Sequence, residues 1–103
     1  MSYMIVQYNL QPDQNEADFE RWLRDVDLPG YARMTSMRNP TYYRATGTLD
    51  EDAPLHRYIV VIESDGPDAV EREMADPAWA GFIADFEARV SDALYVTAER
   101  LSL

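Results

Sequence analysis

Apolar positions along the chain alternate in some stretches and recur at helical spacing in others, and the two periods divide it into six elements. From Tyr3 to Leu10, Met4, Val6, Tyr8 and Leu10 share one side of an extended chain and Ile5 takes the other, which predicts a strand that Pro12 ends. Asp13, with Glu16 three residues later, reads as a capping-box start. Phe19, Trp22, Leu23 and Val26 then fall at i, i+3, i+4 and i+7, a single apolar stripe that faces a sheet. Leu28-Pro29-Gly30 is expected to break this helix, and Tyr31 to Met37 suits a short helical turn before Asn39-Pro40. Thr41 to Leu49 is rich in β-formers and predicts a second strand.

An acidic loop, Asp50 to Pro54, leads into a third strand from His56 to Glu63, and so short a connection implies an antiparallel pair. On this third strand His56, Tyr58, Val60 and Ile62 share one face, while Ile59 and Val61 share the other. Both faces are apolar at the centre, so both need a cover. Asp65-Gly66-Pro67-Asp68 starts a second helical segment and Asp76-Pro77 restarts it, each proline suiting a first helical position. Trp79, Phe82, Ile83, Phe86 and Val90 form its apolar stripe, Ser91-Asp92 punctuates, and Leu94 to Leu101 reads as the last strand. The order is β-α-β-β-α-β, an α+β, ferredoxin-like arrangement with a four-stranded antiparallel sheet. Helices cover one face of such a sheet. A second copy of the chain is the simplest cover for the other, so a homodimer is expected, with a pocket either between sheet and helices or inside the paired sheets.

Composition narrows the function classes. A chain of 103 residues, 47% hydrophobic, suits a single domain, residues 1–103, with one core. Nineteen acidic against nine basic side chains give a net charge of −10, which disfavours nucleic acid and anionic membranes as partners; its plain reading is solubility. There is no cysteine and one histidine, so disulfides, thiolate nucleophiles and a multi-histidine metal centre within one chain are excluded, and no metal or cofactor is expected. The first residues carry neither a basic export region nor a spanning segment, which makes a cytoplasmic protein the expectation. No glycine-rich phosphate loop, Gly-x-Ser-x-Gly elbow or His-Glu-x-x-His pattern occurs.

The candidate chemistry lies in aromatic and hydroxylated side chains. Tyr8, Tyr42 or Tyr43, Tyr58 and Tyr95 lie on predicted strands, and Trp22, Trp79 and Phe82 on predicted helices. Each buried tyrosine hydroxyl needs a partner, so seven tyrosines point either to a pocket or to a dimer interface. His56 and Tyr58, roughly 7 Å apart on one face of a strand, form a candidate acid–base pair. The plain alternative is a histidine at a solvated strand end. Arg44, flanked by apolar and aromatic neighbours, is a candidate clamp for a carboxylate or phenolate, or else a partner of Asp27 or of a loop carboxylate. Asp27 is in turn a candidate ligand contact or a plain helix-end residue, and Met34 and Met37 suit an adaptable wall.

The helix ending in Asp27-Leu28-Pro29, the segment Tyr43-Arg44-Ala45-Thr46-Gly47, the strand Tyr58-Ile59-Val60-Val61-Ile62 and the turn Asp76-Pro77-Ala78 together resemble the REDY-like, HapK-type proteins of the dimeric α+β barrel superfamily. The resemblance spans nearly the whole chain. It implies a homodimer with paired four-stranded sheets and a link to the biosynthesis of tripyrrole pigments. Stress-responsive barrel proteins and a plant polyketide cyclase of the same superfamily carry His-Pro-Ala-His where this chain has Asp76-Pro77-Ala78-Trp79, and a strand histidine where it has Tyr58. An aromatic wall at Trp79 suits orienting a flat ligand rather than histidine chemistry. The leading expectation is a barrel binding a small aromatic, pyrrole- or polyketide-like metabolite, with a cofactor-free step open to it. Tyr58 and His56 are the candidate catalytic residues, and Tyr8, Asp27, Tyr43, Arg44, Trp79 and Phe82 the candidate ligand contacts. The rival expectation is a non-catalytic interaction or stress-associated dimer with a filled core; a heme-degrading monooxygenase, with one axial histidine, is a third.

Overall fold

A computed structural model describes all residues 1–103. Strand β1 (Ser2–Leu10) leads to helix α1 (Glu16–Trp22), which runs through a wide turn (Leu23–Asp27) into α2 (Leu28–Tyr31). Strands β2 (Met37–Arg44) and β3 (Tyr58–Ser64) follow, then α3 (Pro67–Met74), a 3₁₀ turn (Pro77–Trp79), α4 (Ala80–Arg89) and β4 (Val90–Glu99). The four strands form one antiparallel sheet in the order β2-β3-β1-β4, the ferredoxin-like arrangement. No helix is long and apolar enough to cross a membrane.

Several boundaries depart from the expectation, each for a local reason. Asn15, not Asp13, caps α1, its side chain accepting from the Asp18 amide. Leu28-Pro29-Gly30 does not break the helix. The Leu28 amide bonds back to the Leu23 carbonyl, five residues away, and this widened turn carries the chain past Pro29, which sits at the start of the next helical turn where no amide is needed. Tyr31 therefore closes a helix, and Met37 already opens a strand. β2 begins four residues earlier than Thr41 because Asn39 and Pro40 stand together opposite Ile62 as a bulge on an edge strand; Asn39 takes a left-handed φ of 52° there.

The third strand starts at Tyr58, not at His56. Asn9 of β1 intercepts the preceding segment, its side chain accepting from the Arg57 amide at 2.8 Å and donating to the Leu55 carbonyl at 3.0 Å. These bonds replace the ladder pairs that would have extended the strand, so His56 is left in a loop. Val90 likewise belongs to β4 and not to the helix, and a bulge at Asp92, with φ 55°, lets β4 begin there, opposite Leu10.

The sheet's two faces differ. Val6, Tyr8, Tyr58, Val60 and Ile62 face the helices and are buried with Phe19, Trp22, Leu23 and Val70. Trp22 donates to Asp85 at 3.1 Å while Arg89 lies 4.6 Å above its ring, joining α1 to α4. The opposite face carries Ile5, Ile59, Val61, Leu94 and Val96 and has no helix over it.

Candidate functional site

A cavity of about 370 Å³ lies between the sheet and the helices. Its floor is β1, β3 and β4, with Met4, Val6, Tyr8, Val60 and Tyr95. Its walls are Tyr31, Met34 and Met37 on one side and Val70, Met74, Phe82 and Phe86 on the other. Most of this lining is apolar; the acidic groups are Asp27 and, at the exposed rim, Glu71 and Glu87. No lysine, arginine or histidine lines it.

Two polar groups stand out against that apolar wall. Tyr8 is completely buried, its ring stacked on Tyr58 at 5.6 Å and met edge-on by Phe86 at 5.1 Å and Phe19 at 5.8 Å. Its hydroxyl has no hydrogen-bond partner, alone among the buried side-chain polar atoms. Leaving such a donor unpaired costs about 1–3 kcal/mol, so its retention calls for a reason beyond the fold. Asp27, only 4% exposed, is the second. The widened turn ends at Asp27 and turns it inward, where its one hydrogen bond comes from the Tyr42 hydroxyl at 2.6 Å. Burial pushes the Asp27 carboxyl up to about 6, with the Tyr42 bond holding it back in part. Burial, and then the Asp27 charge, keep Tyr8, Tyr31 and Tyr42 firmly protonated, so all three stay hydroxyl donors.

The residues singled out from sequence divide into separate places. Tyr8, Asp27 and Phe82 line the cavity. Tyr58 and Arg44 do not: both bind Glu20 of α1, Tyr58 at 2.9 Å and Arg44 through two bonds of 2.8 and 2.6 Å. Arg44 therefore pairs with neither Asp27 nor a loop carboxylate, and its fork is filled by a residue the sequence reading passed over. That Glu20 cluster borders a shallower hollow with Leu23, Arg24, Tyr42 and Tyr43. Tyr43 itself points to the open face of the sheet and is half exposed. Trp79, at the end of the 3₁₀ turn before α4, packs against Phe82 at 5.7 Å and under Arg33 at 5.6 Å; it does not line the cavity but borders a separate open hollow with Val26, Arg33 and Asp85. His56 is half-buried in the loop before β3 and makes no side-chain hydrogen bond; it lines neither hollow. The expected His56–Tyr58 pair is not formed, because the two residues do not share a strand. No three His, Asp or Glu side chains converge as a metal site requires.

Tyr42 and Tyr31 are the members the sequence reading missed or left undecided. The alternation of β2 carried a usable signal: Tyr42 pairs with Val60, on the helix-facing side, whereas Tyr43 pairs with Ile59 on the other. Gly30 completes the arrangement, since a Cβ there would overlap the Phe82 ring of the cavity wall, and only glycine lets α2 sit against it.

Comparison with known proteins agrees with this architecture. Among curated proteins no sequence matches. Of solved structures, the chain is similar to At3g17210 from Arabidopsis thaliana (12% identity, TM-score 0.83, covering 100% of this chain and 98% of that one). It is similar to HapK from Hahella chejuensis (22% identity, TM-score 0.77, covering 100% and 95%). A third is SnoaB from Streptomyces nogalater, described as a cofactor-independent oxygenase (14% identity, TM-score 0.72, covering 99% and 94%). The family described as REDY-like protein HapK matches residues 2–101, and the chain belongs to it.

Proposed function

We propose that this protein is a homodimer that binds a small, flat and largely apolar metabolite in the cavity between its sheet and helices. The observation that carries this reading is a cavity of about 370 Å³ whose lining includes Tyr8, the residue with the buried, unpartnered hydroxyl. That volume falls in the range of small-molecule sites, and the composition of the wall, mostly apolar with few placed polar groups, is theirs too. A filled core, as the rival reading requires, would leave no such space. With no cation in the lining, the site favours a neutral ligand over a carboxylate or a phosphate. The ligand's acceptor oxygen or nitrogen accepts a hydrogen bond from the Tyr8 hydroxyl, and aromatic side chains pack its faces. SnoaB, of the same fold, is a cofactor-independent oxygenase, which supports keeping cofactor-free chemistry open for this chain.

Native mass spectrometry of the protein purified from its own host tests the reading. A retained small molecule is expected in the wild type. Tyr8→Phe should lose most of it, because one hydrogen bond of about 1 kcal/mol is worth roughly five- to tenfold in affinity. The ligand-free Tyr8→Phe protein should at the same time be the more stable, having shed an unpaired buried hydroxyl. A Tyr8→Phe protein that is less stable and retains the molecule as before would overturn the assignment.

A further inference from the structure

Binding alone leaves Asp27 unexplained. A carboxylate turned into an apolar wall with one tyrosine bond is poorly compensated, and Asn in its place would accept from Tyr42 as well without carrying charge. Its surroundings do nothing to neutralise it. The titratable groups that share its cavity are Tyr8 from β1, Tyr31 from α2, Glu71 from α3, Glu87 from α4 and Tyr95 from β4, and Tyr42 of β2 binds it directly. None of them is a cation, and the two other carboxylates, Glu71 and Glu87, stand at the exposed rim. The cavity thus brings together one buried carboxylate, Asp27, and one residue with a buried, unpartnered hydroxyl, Tyr8.

We propose that Asp27 acts as a general base on a neutral, apolar cyclic ketone, taking a proton from the carbon beside the carbonyl while Tyr8 holds the carbonyl oxygen. The inference rests on the cavity being a ligand site and adds its substrate class and a proton-transfer activity. The C–H electron pair becomes the new C=C bond and the carbonyl π pair moves to oxygen, where the Tyr8 hydroxyl stabilises the developing charge. Asp27, now protonated, returns the proton to carbon or passes it to the enolate oxygen, so keto and enol forms interconvert. Nothing is oxidised or reduced and no co-reactant is consumed. A carboxyl titrating near 6 is well matched to a base that must be ionised at neutral pH and still accept a proton.

The probe is 2-tetralone, a bicyclic ketone of suitable size. Its binding is followed by amide shifts in the protein, and exchange of its α-protons for deuterium is followed separately by NMR. The wild type should bind it and exchange it well above the buffer rate, with the protein-dependent rate falling as pH drops below about 6. Asp27→Asn should still bind but exchange at the buffer rate. Tyr8→Phe should bind more weakly and exchange about 10²-fold more slowly, the loss expected for one oxyanion donor. Binding by the wild type without exchange, or undiminished exchange in Asp27→Asn, overturns the proton-transfer role and leaves the ligand site standing. Absence of any binding overturns the ligand site, and the role with it.

Discussion

Asp27 is the residue at which the fold and the proposed proton transfer pull in opposite directions. Its folded value of about 6 lies above the ordinary 3.8, so the charged form is disfavoured by the fold. The sign follows. Above pH 6 the folded protein carries the full penalty of a buried charge; as pH falls through 6 toward 3.8 the folded state takes up the proton first and the penalty disappears. Two units correspond to about 3 kcal/mol. Asp27→Asn should accordingly be more stable than the wild type at pH 7.5 by up to that amount, and the advantage should shrink to near zero by pH 4. Urea unfolding of both proteins at the two pH values checks this, the difference cancelling the carboxylates they share. A pH-independent difference would show that Asp27 is not buried as described. Asp27 was visible in sequence as a candidate, and so was Tyr8. Arg44 reads in sequence as a clamp for a ligand carboxylate or phenolate, or as a partner of Asp27 or a loop carboxylate; its actual partner, Glu20, lies 24 residues away on another element, a contact that no spacing rule encodes.

At the scale of elements, apolar periodicity located the four strands and the main helices, but it put a break where α2 lies and ran the second strand on to Leu49 where β2 ends at Arg44; the errors gathered where a backbone irregularity replaced a clean stop. Pro29 reads as a breaker, but a widened turn absorbs it; Asn39-Pro40 reads as a turn, but an edge bulge holds it in β2. Neither device is written in the apolar period: the first is closed by the Leu28–Leu23 backbone bond, the second by pairing with β3. A further one joins α3 to the chain entering β2: the Glu73 carboxylate accepts from the Thr35 and Ser36 amides and from both hydroxyls. Partial burial works to raise the Glu73 carboxyl, yet the Ser36 and Thr35 bonds outweigh it and hold the carboxyl below its ordinary range. The clamp is therefore present at neutral pH and is lost as pH falls through that lowered value. Since Met34 and Met37, on either side of it, line the cavity, the clamp also fixes one wall. Glu73→Ala should destabilise the protein by about 1–2 kcal/mol and speed amide exchange at Thr35 and Ser36 ahead of the rest of the sheet. Unchanged exchange at those two amides would deny the clamp its role.

For the whole molecule the sheet separates a cavity on the helix side from an uncovered apolar face on the other. That face was legible in sequence because Ile59 and Val61 alternate with Tyr58, Val60 and Ile62 on one strand, so neither side could be left to water. In the structure Val61 sits at its centre, paired with Ile5 on β1 and Thr41 on β2, with Leu94 half exposed nearby. Two copies packed face to face would bury these side chains, and near the symmetry axis each would meet its own equivalent. Val61→Glu should therefore bring two charges together in a dry interface while costing the single chain only about 1 kcal/mol, the range of strand propensities on an open face. Sedimentation equilibrium is expected to give a dimer for the wild type and a folded monomer for Val61→Glu; a monomeric wild type, or a variant still dimeric, would refute the paired sheets. The same variant also asks whether the two faces are coupled. The cavity lies on the helix side of the sheet, away from the proposed interface, so the monomeric variant should keep the proposed Tyr8-dependent binding. Loss of the ligand on monomerisation would instead mean that the partner steadies the strands on which Tyr8 and Tyr95 are carried.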